Sequence, residues 1–306
     1  MSDPRVRITG PFDRSGSLSG FETELFLGSS AQVNTETETN KLDIPGRDAE
    51  DAIVTPLEGS KDFLYNGVAS PQSLIQAGFG DTPQEAVKSY LIELESLVLP
   101  FQNVGYRLED DENGITLDPT DGIGVLCDEV SWEVGGGDGL RSEYRVSAVQ
   151  SDGVQETGEG PTRSGYLSDP LGESVVDPVN QLEYPDGILP LGSLDSLTLN
   201  RSVDVDAQDM LHEFDVPQIG VIETGVQVEI QYSGTVTKKE LEISLDEWAR
   251  ELSVDAHGTQ SFFEETVTSR KFQGTLSDTS TDFEGGQPNA VSFDLTFDVG
   301  NSELFS

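Results

Sequence analysis

Basic residues are scarce in this chain. Its 306 residues include 17 Lys and Arg against 57 Asp and Glu, which gives a formal charge of −40. A surface this negative repels nucleic-acid phosphates and anionic lipid headgroups. We therefore expect neither specific nucleic-acid binding nor attachment to a membrane surface through a basic patch.

Cysteine, histidine and long apolar runs are also few. Cys127 is the single cysteine, so the chain cannot form an internal disulfide framework. No apolar run approaches the roughly 20 residues that cross a bilayer as a helix. Residues 1–5 lack the charged and apolar regions of a signal peptide. The sequence thus predicts a protein that folds in the cytoplasm.

The acidic residues that are present occur in every segment rather than in one tail. Only 6 of the 17 basic residues are lysines, and Thr, Ser and Gly are abundant. This composition is typical of proteins from halophiles that accumulate salt, because in about 1 M salt the Debye length falls to about 3 Å and screens self-repulsion. An ordinary acidic mesophilic protein is the alternative interpretation.

The apolar pattern is mainly that of β-strands. The chain has 32 Gly and 15 Pro, and the runs between them alternate apolar and polar residues. Residues Val291–Val299 give the clearest alternation, which predicts a strand with one buried face. Within Ile123–Val134 the alternation changes phase near Asp128 and Glu129, which predicts a β-bulge or a bend there.

Two segments carry helix signals. Thr82–Glu85 combines an N-cap Thr, a Pro at the first helical position and a Glu three residues after the cap. Apolar residues then recur at helical spacing until Pro100, so we expect a helix across this segment. Ser244–Glu247 has a second capping pattern, which predicts a shorter helix that ends near Ser253.

The order of these elements predicts two halves with one plan. Residues 61–150 are predicted to form a β domain, with a hairpin turn at Asn113-Gly114, and residues 219–306 a second β domain of similar plan. Residues 151–218 are predicted to be a Gly/Pro-rich linker or arm, and residues 1–60 an N-terminal arm. The predicted fold is mainly β with short helices: two tandem β-sandwich or barrel-like domains, each with one packing helix, plus extended arms. In the N-terminal arm, Phe21–Leu27 is predicted to be a strand and Thr35–Thr39 a loop.

The residues that could carry chemistry form no catalytic group. His212 and His257 lie in no metal-ligand spacing, and an exposed turn is the simpler interpretation of His257 because Gly258 follows it. Cys127 lies within a predicted strand, where a buried, unreactive thiol is expected. We therefore assign no catalytic and no cofactor-binding residue, and expect a protein that is not an enzyme and needs no cofactor.

Acidic runs are the remaining candidates for a metal site. Residues 109–114 and 118–122 could supply oxygen ligands to a hard cation, but neither has the spacing of a calcium loop. Such runs arise from composition alone in a chain with this many carboxylates. We assign no metal ligand.

The layout of residues 61–150 resembles the tail-tube fold of siphovirus-type phages and archaeal viruses. The resemblance is carried by the order strand, helix, hairpin, long strand, strand. Val130–Val134, the glycine-rich turn after it and Tyr144–Val149 are similar to the closing hairpin of that fold. The second half of the same plan makes the chain more similar to a distal-tail or baseplate protein than to a simple tube subunit.

The resemblance implies a structural ring component of the tail of a haloarchaeal virus, linking the tail tube to the tip. Its partners would be copies of itself in a ring and other tail and baseplate proteins. Its location would be the virion tail, after assembly in the host cytoplasm. Two alternatives remain open: a halophilic, non-enzymatic β-rich surface or ligand-binding module, and a tail tube protein.

Overall fold

The fold was analysed in a computed structural model that describes residues 6–9, 22–25, 30–42, 53–98, 106–110, 123–135, 140–150, 172–210, 218–283 and 289–299. All fifteen strands in these ranges belong to one antiparallel hydrogen-bonded sheet. The strands are β1 (Val6–Thr9), β2 (Glu22–Leu25), β3 (Ser30–Leu42), β4 (Ile53–Ala69), β5 (Tyr106–Asp110), β6 (Ile123–Gly135), β7 (Ser142–Gln150), β8 (Glu173–Ser174), β9 (Gln181–Tyr184), β10 (Gly187–Pro190), β11 (Ser193–Met210), β12 (Gln218–Thr237), β13 (Gln260–Glu265), β14 (Arg270–Asp282) and β15 (Ala290–Val299). The prediction of a mainly β fold is confirmed.

Short helices pack on this sheet. They are α1 (Pro71–Ala77), α2 (Pro83–Glu95) and α3 (Leu245–Arg250), which continues into a π-helical turn, Glu251–Ala256. The predicted capping box is confirmed, because the Thr82 side chain accepts a hydrogen bond from the Glu85 amide and the Glu85 carboxylate accepts one from the Thr82 amide. The α2 helix ends at Glu95, before the predicted stop at Pro100. Helix α1 was not predicted.

The strand pairings divide the sheet into two repeats with the same order. The first repeat runs β2-β1-β5-β6-β7-β4-β3, and the second runs β10-β9-β13-β14-β15-β12-β11. Each strand in one repeat has a counterpart at the same place in the other. The order along the chain is also shared, because each repeat consists of two hairpins, a helical segment and then three antiparallel strands. Strand β8 is outside this scheme and pairs with β14.

A glycine and two aromatic residues form the centre of the first repeat. Gly67 on β4 lies opposite Tyr144 on β7, and a Cβ atom on Gly67 would lie 2.1 Å from Tyr144 Cζ. Tyr90 on α2 contacts the same ring edge-on, with 5.7 Å between centroids. The glycine therefore leaves the space that the two edge-to-face aromatic rings occupy between the sheet and the helix.

The second repeat uses the same arrangement. Gly234 on β12 lies opposite Phe293 on β15, and Trp248 on α3 packs on Phe293 at 5.0 Å between centroids. A buried tyrosine stands two residues before the glycine in each repeat, Tyr65 in the first and Tyr232 in the second. Buried apolar residues of both repeats form one cluster.

The first strand of the closing hairpin, β6 in the first repeat and β14 in the second, carries a bulge in both repeats. The β6–β7 register shifts between Cys127 and Glu129, and the β14–β15 register shifts between Leu276 and Asp278. The first of these shifts confirms the bulge that the phase change of the apolar pattern predicted. The second makes Asp278 the counterpart of Glu129.

Two segments predicted as arms contain sheet strands. In the described part of residues 151–218, β8 to β11 form, and Leu182, Leu189 and Leu197 are buried, so the prediction of a linker is wrong for residues 172–210. Strands β8 to β10 are short and are stabilised by the strands they pair with, whereas β11 is a long central strand between β12 and β6. In residues 1–60, β1 to β3 and the start of β4 also pair, and the predicted loop Thr35–Thr39 lies within β3. The predicted strand in Phe21–Leu27 is confirmed by β2. The turn at Asn113-Gly114 lies outside the described residues.

A long hairpin extends past the sheet in each repeat. Strands β11 and β12 pair from Ser193 to Met210, but β6 pairs with β11 only over residues 196–202 and β15 pairs with β12 only from Glu229 onward. Likewise, β4 pairs with β7 only from Asp62 onward, although its pairing with β3 begins at Ile53. The described backbone of each hairpin beyond those points pairs only within the hairpin.

Candidate functional site

The contact between the two repeats is the candidate functional site. Strand β11 of the second repeat pairs with β6 of the first, from Ser196 opposite Gly135 to Ser202 opposite Glu129. On the same edge of β6, residues 123–125 pair with β5. The two repeats are thus joined edge to edge by an antiparallel ladder, which satisfies the backbone hydrogen-bonding groups of both strands.

The two faces of this junction differ in chemistry. On one face, Leu197 and Leu199 lie opposite Val134 and Trp132, and all four side chains are buried. On the other face the opposed residues are small, polar or acidic: Ser196, Thr198, Asn200 and Ser202 on β11, and Gly135, Glu133, Ser131 and Glu129 on β6. The junction therefore has an apolar side that packs into the core and a polar side with two carboxylates.

A buried ionic cluster lies behind the apolar side. The Glu95 carboxylate, at the end of α2, accepts hydrogen bonds from Arg270 Nη1 at 2.7 Å and Nη2 at 2.8 Å, and from Trp132 Nε1 at 2.9 Å. Arg201 Nη1 donates to the Glu95 backbone carbonyl at 3.2 Å, which satisfies a carbonyl in the last turn of the helix. The cluster thus joins α2 and β6 of the first repeat to β11 and β14 of the second.

The protonation of the cluster follows from burial and charge. Burial acts to lower the pKa of Arg270, but Glu95 and Glu265 outweigh it and hold that pKa above its ordinary value. Burial raises the pKa of Glu265, and Arg270 together with hydrogen bonds from Thr268 offsets this only in part. Arg270 therefore stays charged and paired, as a fully buried guanidinium must.

A second contact holds the other end of α2. Gln84 Nε2 donates to the Thr266 carbonyl oxygen at 2.7 Å, in the turn between β13 and β14. With Glu95 at its last residue, α2 is bound to the second repeat at both ends. The junction is therefore more than one strand pair, because helix, strand and turn all contribute to it.

The structure does not bring together the residues that the sequence raised as chemical candidates. Cys127 is buried in β6, and His257 is exposed at the end of the π-helical turn. His212 and residues 118–122 lie outside the described part of the chain. Of the run 109–114, Glu109 and Asp110 belong to β5.

The described residues contain neither a group of metal ligands nor a membrane-spanning helix. Among the described ranges, no three His, Cys, Asp or Glu side chains are grouped so that they could hold a metal ion. Within those ranges no helix has both the length and the apolar character needed to cross a membrane.

Sequence reasoning missed the junction residues Glu95, Arg201 and Arg270. Their spacing along the chain gives no motif, because the three are brought together only by the packing of α2 on the second repeat. One signal was available for the repeat itself: Tyr65-Asn66-Gly67 and Tyr232-Ser233-Gly234 share the pattern Tyr-polar-Gly at equivalent positions. No protein-family model and no curated protein matches this chain.

Proposed function

We propose that this protein is a structural ring component of a virus tail, in the distal tail or baseplate region that links the tail tube to the tip, and that it acts without cofactor or turnover. The observation that supports this most strongly is the edge-to-edge joining of two repeats with the same strand order. Such a contact joins two different edges, which is the heterologous geometry that rings of identical units repeat.

The long hairpins support contacts with further tail proteins. A hairpin of two strands is marginally stable in water by itself, so it gains order by packing on a neighbour. The described parts of β3–β4 and β11–β12 extend past the sheet in equivalent positions. In a ring these two hairpins would reach the adjacent layer of the tail.

The charge is compatible with DNA passing through such a ring. With a formal net charge of −40, the chain repels phosphate groups. A ring of such chains would therefore let a nucleic acid move through it without binding. The opposed β6 and β11 residues on the polar face of the junction include Glu129 and Glu133 and no lysine or arginine, and Arg145 on the neighbouring β7 lies 3.8 Å from Glu129. This face is suited to the inside of a channel.

A tail tube protein is the second candidate. The equivalence of the two repeats favours it, since a tube is built from one repeated unit and here both repeats supply the same seven strands. The partners in either case are other copies of this chain and neighbouring tail proteins, in the virion tail, after assembly in the host cytoplasm.

The test is whether the protein is part of the virion. Tailed virions of the haloarchaeal virus that encodes the chain would be purified in molar salt, separated from free protein and analysed by peptide mass spectrometry. Antibody-gold labelling would then locate the protein. We expect label on the tail, at its distal end for a baseplate ring and along its length for a tube protein. Absence of the chain from purified virions would reject the tail assignment and favour a surface or ligand-binding module.

A further inference from the structure

Among the described residues, one edge of β14 is unpaired over a stretch where the same edge of β6 is paired. Strand β6 pairs with β7 on one side, and with β5 and then β11 on the other. Strand β14 pairs with β15 on one side, and with β13 on the other over residues 270–275. Among the described residues, nothing pairs with residues 276–282 on that second side.

The equivalent of β11 in the first repeat is β3, and no described strand pairs with its outer edge. Leu197 on β11 lies opposite Tyr232, and Ala31 on β3 lies opposite Tyr65, so Ala31 is the counterpart of Leu197. In the described part of the chain, β3 pairs with β4 alone. The described strands therefore form one filled junction, between β6 and β11, and supply the two edges that a second junction of the same kind would need.

We propose that β3 of one copy pairs with the open edge of β14 in the next copy and repeats the β6–β11 junction between chains. This inference rests on the proposed ring and names the surface by which copies join. The register follows from equivalent positions: Asp278 corresponds to Glu129 at the bulges, and Ala31 corresponds to Leu197 opposite the tyrosines. Gln32 would then lie opposite Asp282, as Thr198 lies opposite Glu133. Glu36 would lie opposite Asp278.

Phe283 supports this contact independently. Counted from the bulges, Phe283 is the counterpart of Val134, which is 0% exposed beneath Leu197. Phe283 is 47% exposed, although it is large and apolar. The proposed register places Ala31 of the next copy opposite Phe283, so that β3 of that copy would lie over the exposed ring.

The two edges are different surfaces, so the contact is head to tail. It therefore generates a closed ring if the rotation from copy to copy closes, and an open filament if it does not. The continuous path β3-β4-β7-β6-β11-β12-β15-β14 within one chain would supply eight neighbouring strands to a closed barrel. With all edges paired, the barrel has no open strand edge left along this path.

The proposed register also makes assembly depend on salt. Glu36 opposite Asp278 places like charges on directly opposed residues, which is unfavourable in water. In the filled junction Glu129 lies opposite Ser202 instead. Since molar salt shortens the Debye length to about 3 Å, the contact between copies should form at high salt and dissociate as salt is lowered.

Engineered disulfides test the register. The matched variant is Gln32→Cys with Asp282→Cys, because directly opposed strand residues are close enough to be bridged. The control is Gln32→Cys with Thr281→Cys, which is one residue out of register and places the second cysteine on the other face of the strand. Thr198→Cys with Glu133→Cys is the positive control for disulfide formation, since these two residues are directly opposed within the chain. Cys127 is buried and stays in all variants.

Oxidation would be done in molar salt and followed on non-reducing gels, with the mass of each assembly measured in parallel. We expect the matched variant to give at least about fivefold more cross-link between chains than the control. Oligomers without this cross-link, equal cross-linking of both variants, or a bridge within one chain would overturn the proposed register and leave the ring proposal standing. A protein that stays monomeric in molar salt would overturn both.

Discussion

At the scale of single residues, the Glu95–Arg270 pair matters because it crosses the boundary between the repeats. Both side chains are almost fully buried, and their nitrogen and oxygen atoms approach to 2.7 Å. A buried ion pair adds little net stability against an apolar pair of the same size, but loss of one partner leaves an uncompensated charge. The pair therefore selects one arrangement of α2 on the second repeat.

The first prediction concerns this pair. Arg270→Met and Glu95→Leu should each lower the free energy of unfolding by about 3–5 kcal/mol, because each leaves a buried charge unpaired. The double variant should lose less than the sum of the two, since it leaves neither charge of the pair, although Glu265 still lacks its buried cation. Urea unfolding in molar KCl measures all three.

The matched control is Arg250→Met, which removes the exposed ion pair with Asp255 at 3.0 Å. Exposed pairs of this kind contribute about 0–1 kcal/mol, so the change should be small. Equal effects of Arg250→Met and Arg270→Met would show that the buried cluster does not hold the repeats together.

Asp128, at the bulge of β6, gives a prediction about pH. Burial raises the pKa of Asp128, and a hydrogen bond from Ser147 offsets this only in part. A raised carboxyl pKa means that the folded state is favoured while Asp128 is protonated and loses stability as pH rises through the folded pKa. Asp128→Asn should therefore gain stability relative to the natural chain as pH rises from 4 to 7.

Thermal unfolding of both proteins in molar salt across this pH range tests the effect. Asp298→Asn, at an exposed position of β15, serves as the matched control substitution. A stability difference between Asp128→Asn and the natural chain that stays constant with pH would contradict the account of Asp128.

At the scale of elements, the two repeats share one packing arrangement between the sheet and the helix that lies on it. A glycine on β4 or β12 admits an aromatic ring from the paired strand, and an aromatic residue on the helix covers that ring. The distances leave no room for a side chain at either glycine. The helix is thus positioned by the shape of the sheet beneath it.

The prediction is that Gly67→Ala and Gly234→Ala each destabilise the fold by about 1–3 kcal/mol, as overpacked substitutions do. The added Cβ would lie 2.1 Å from Tyr144 Cζ in the first variant and 2.7 Å from Tyr232 Cε1 in the second. Gly135→Ala is the control, since its nearest atom would be 4.0 Å away. Urea unfolding measures the three variants, and equal stability of Gly67→Ala and Gly135→Ala would contradict the packing argument.

Local sequence patterns predicted the elements whose signals are local. The alternation in Val291–Val299 predicted β15, the capping box at Thr82 predicted α2, and the phase change near Asp128 predicted the bulge. The strands in residues 172–190 were missed because they are short and separated by Gly and Pro. Short strands of this kind are stabilised by the strands they pair with, which a single segment of sequence does not contain.

The junction could not be predicted for the same reason. Glu95 and Arg270 are 175 positions apart, and the pairing of β6 with β11 depends on tertiary structure. The repeated order of elements was visible in the sequence, but the sequence did not indicate that the two repeats share one sheet.

At the scale of the whole molecule, charge determines when the fold and the assembly are stable. The chain carries −40, and described salt bridges such as Arg141–Glu143 and Arg145–Glu129 are long and exposed. Such pairs contribute little, so self-repulsion must be screened by the solvent.

We therefore expect the isolated protein to lose structure when salt is lowered from molar to a few tens of millimolar, where the Debye length grows toward about 30 Å. Circular dichroism at both salt concentrations, with melting curves, measures this. An unchanged β spectrum and melting temperature would reject the role of salt.

The central claim is that copies of this chain join edge to edge into a closed ring. Native mass measurement of the full-length protein in molar salt, over a range of protein concentrations, tests it most directly. We predict a single assembly whose mass is a fixed small multiple of the chain's 33.1 kDa and does not grow with concentration. A protein that remains at the mass of one chain at the highest concentration would contradict the claim.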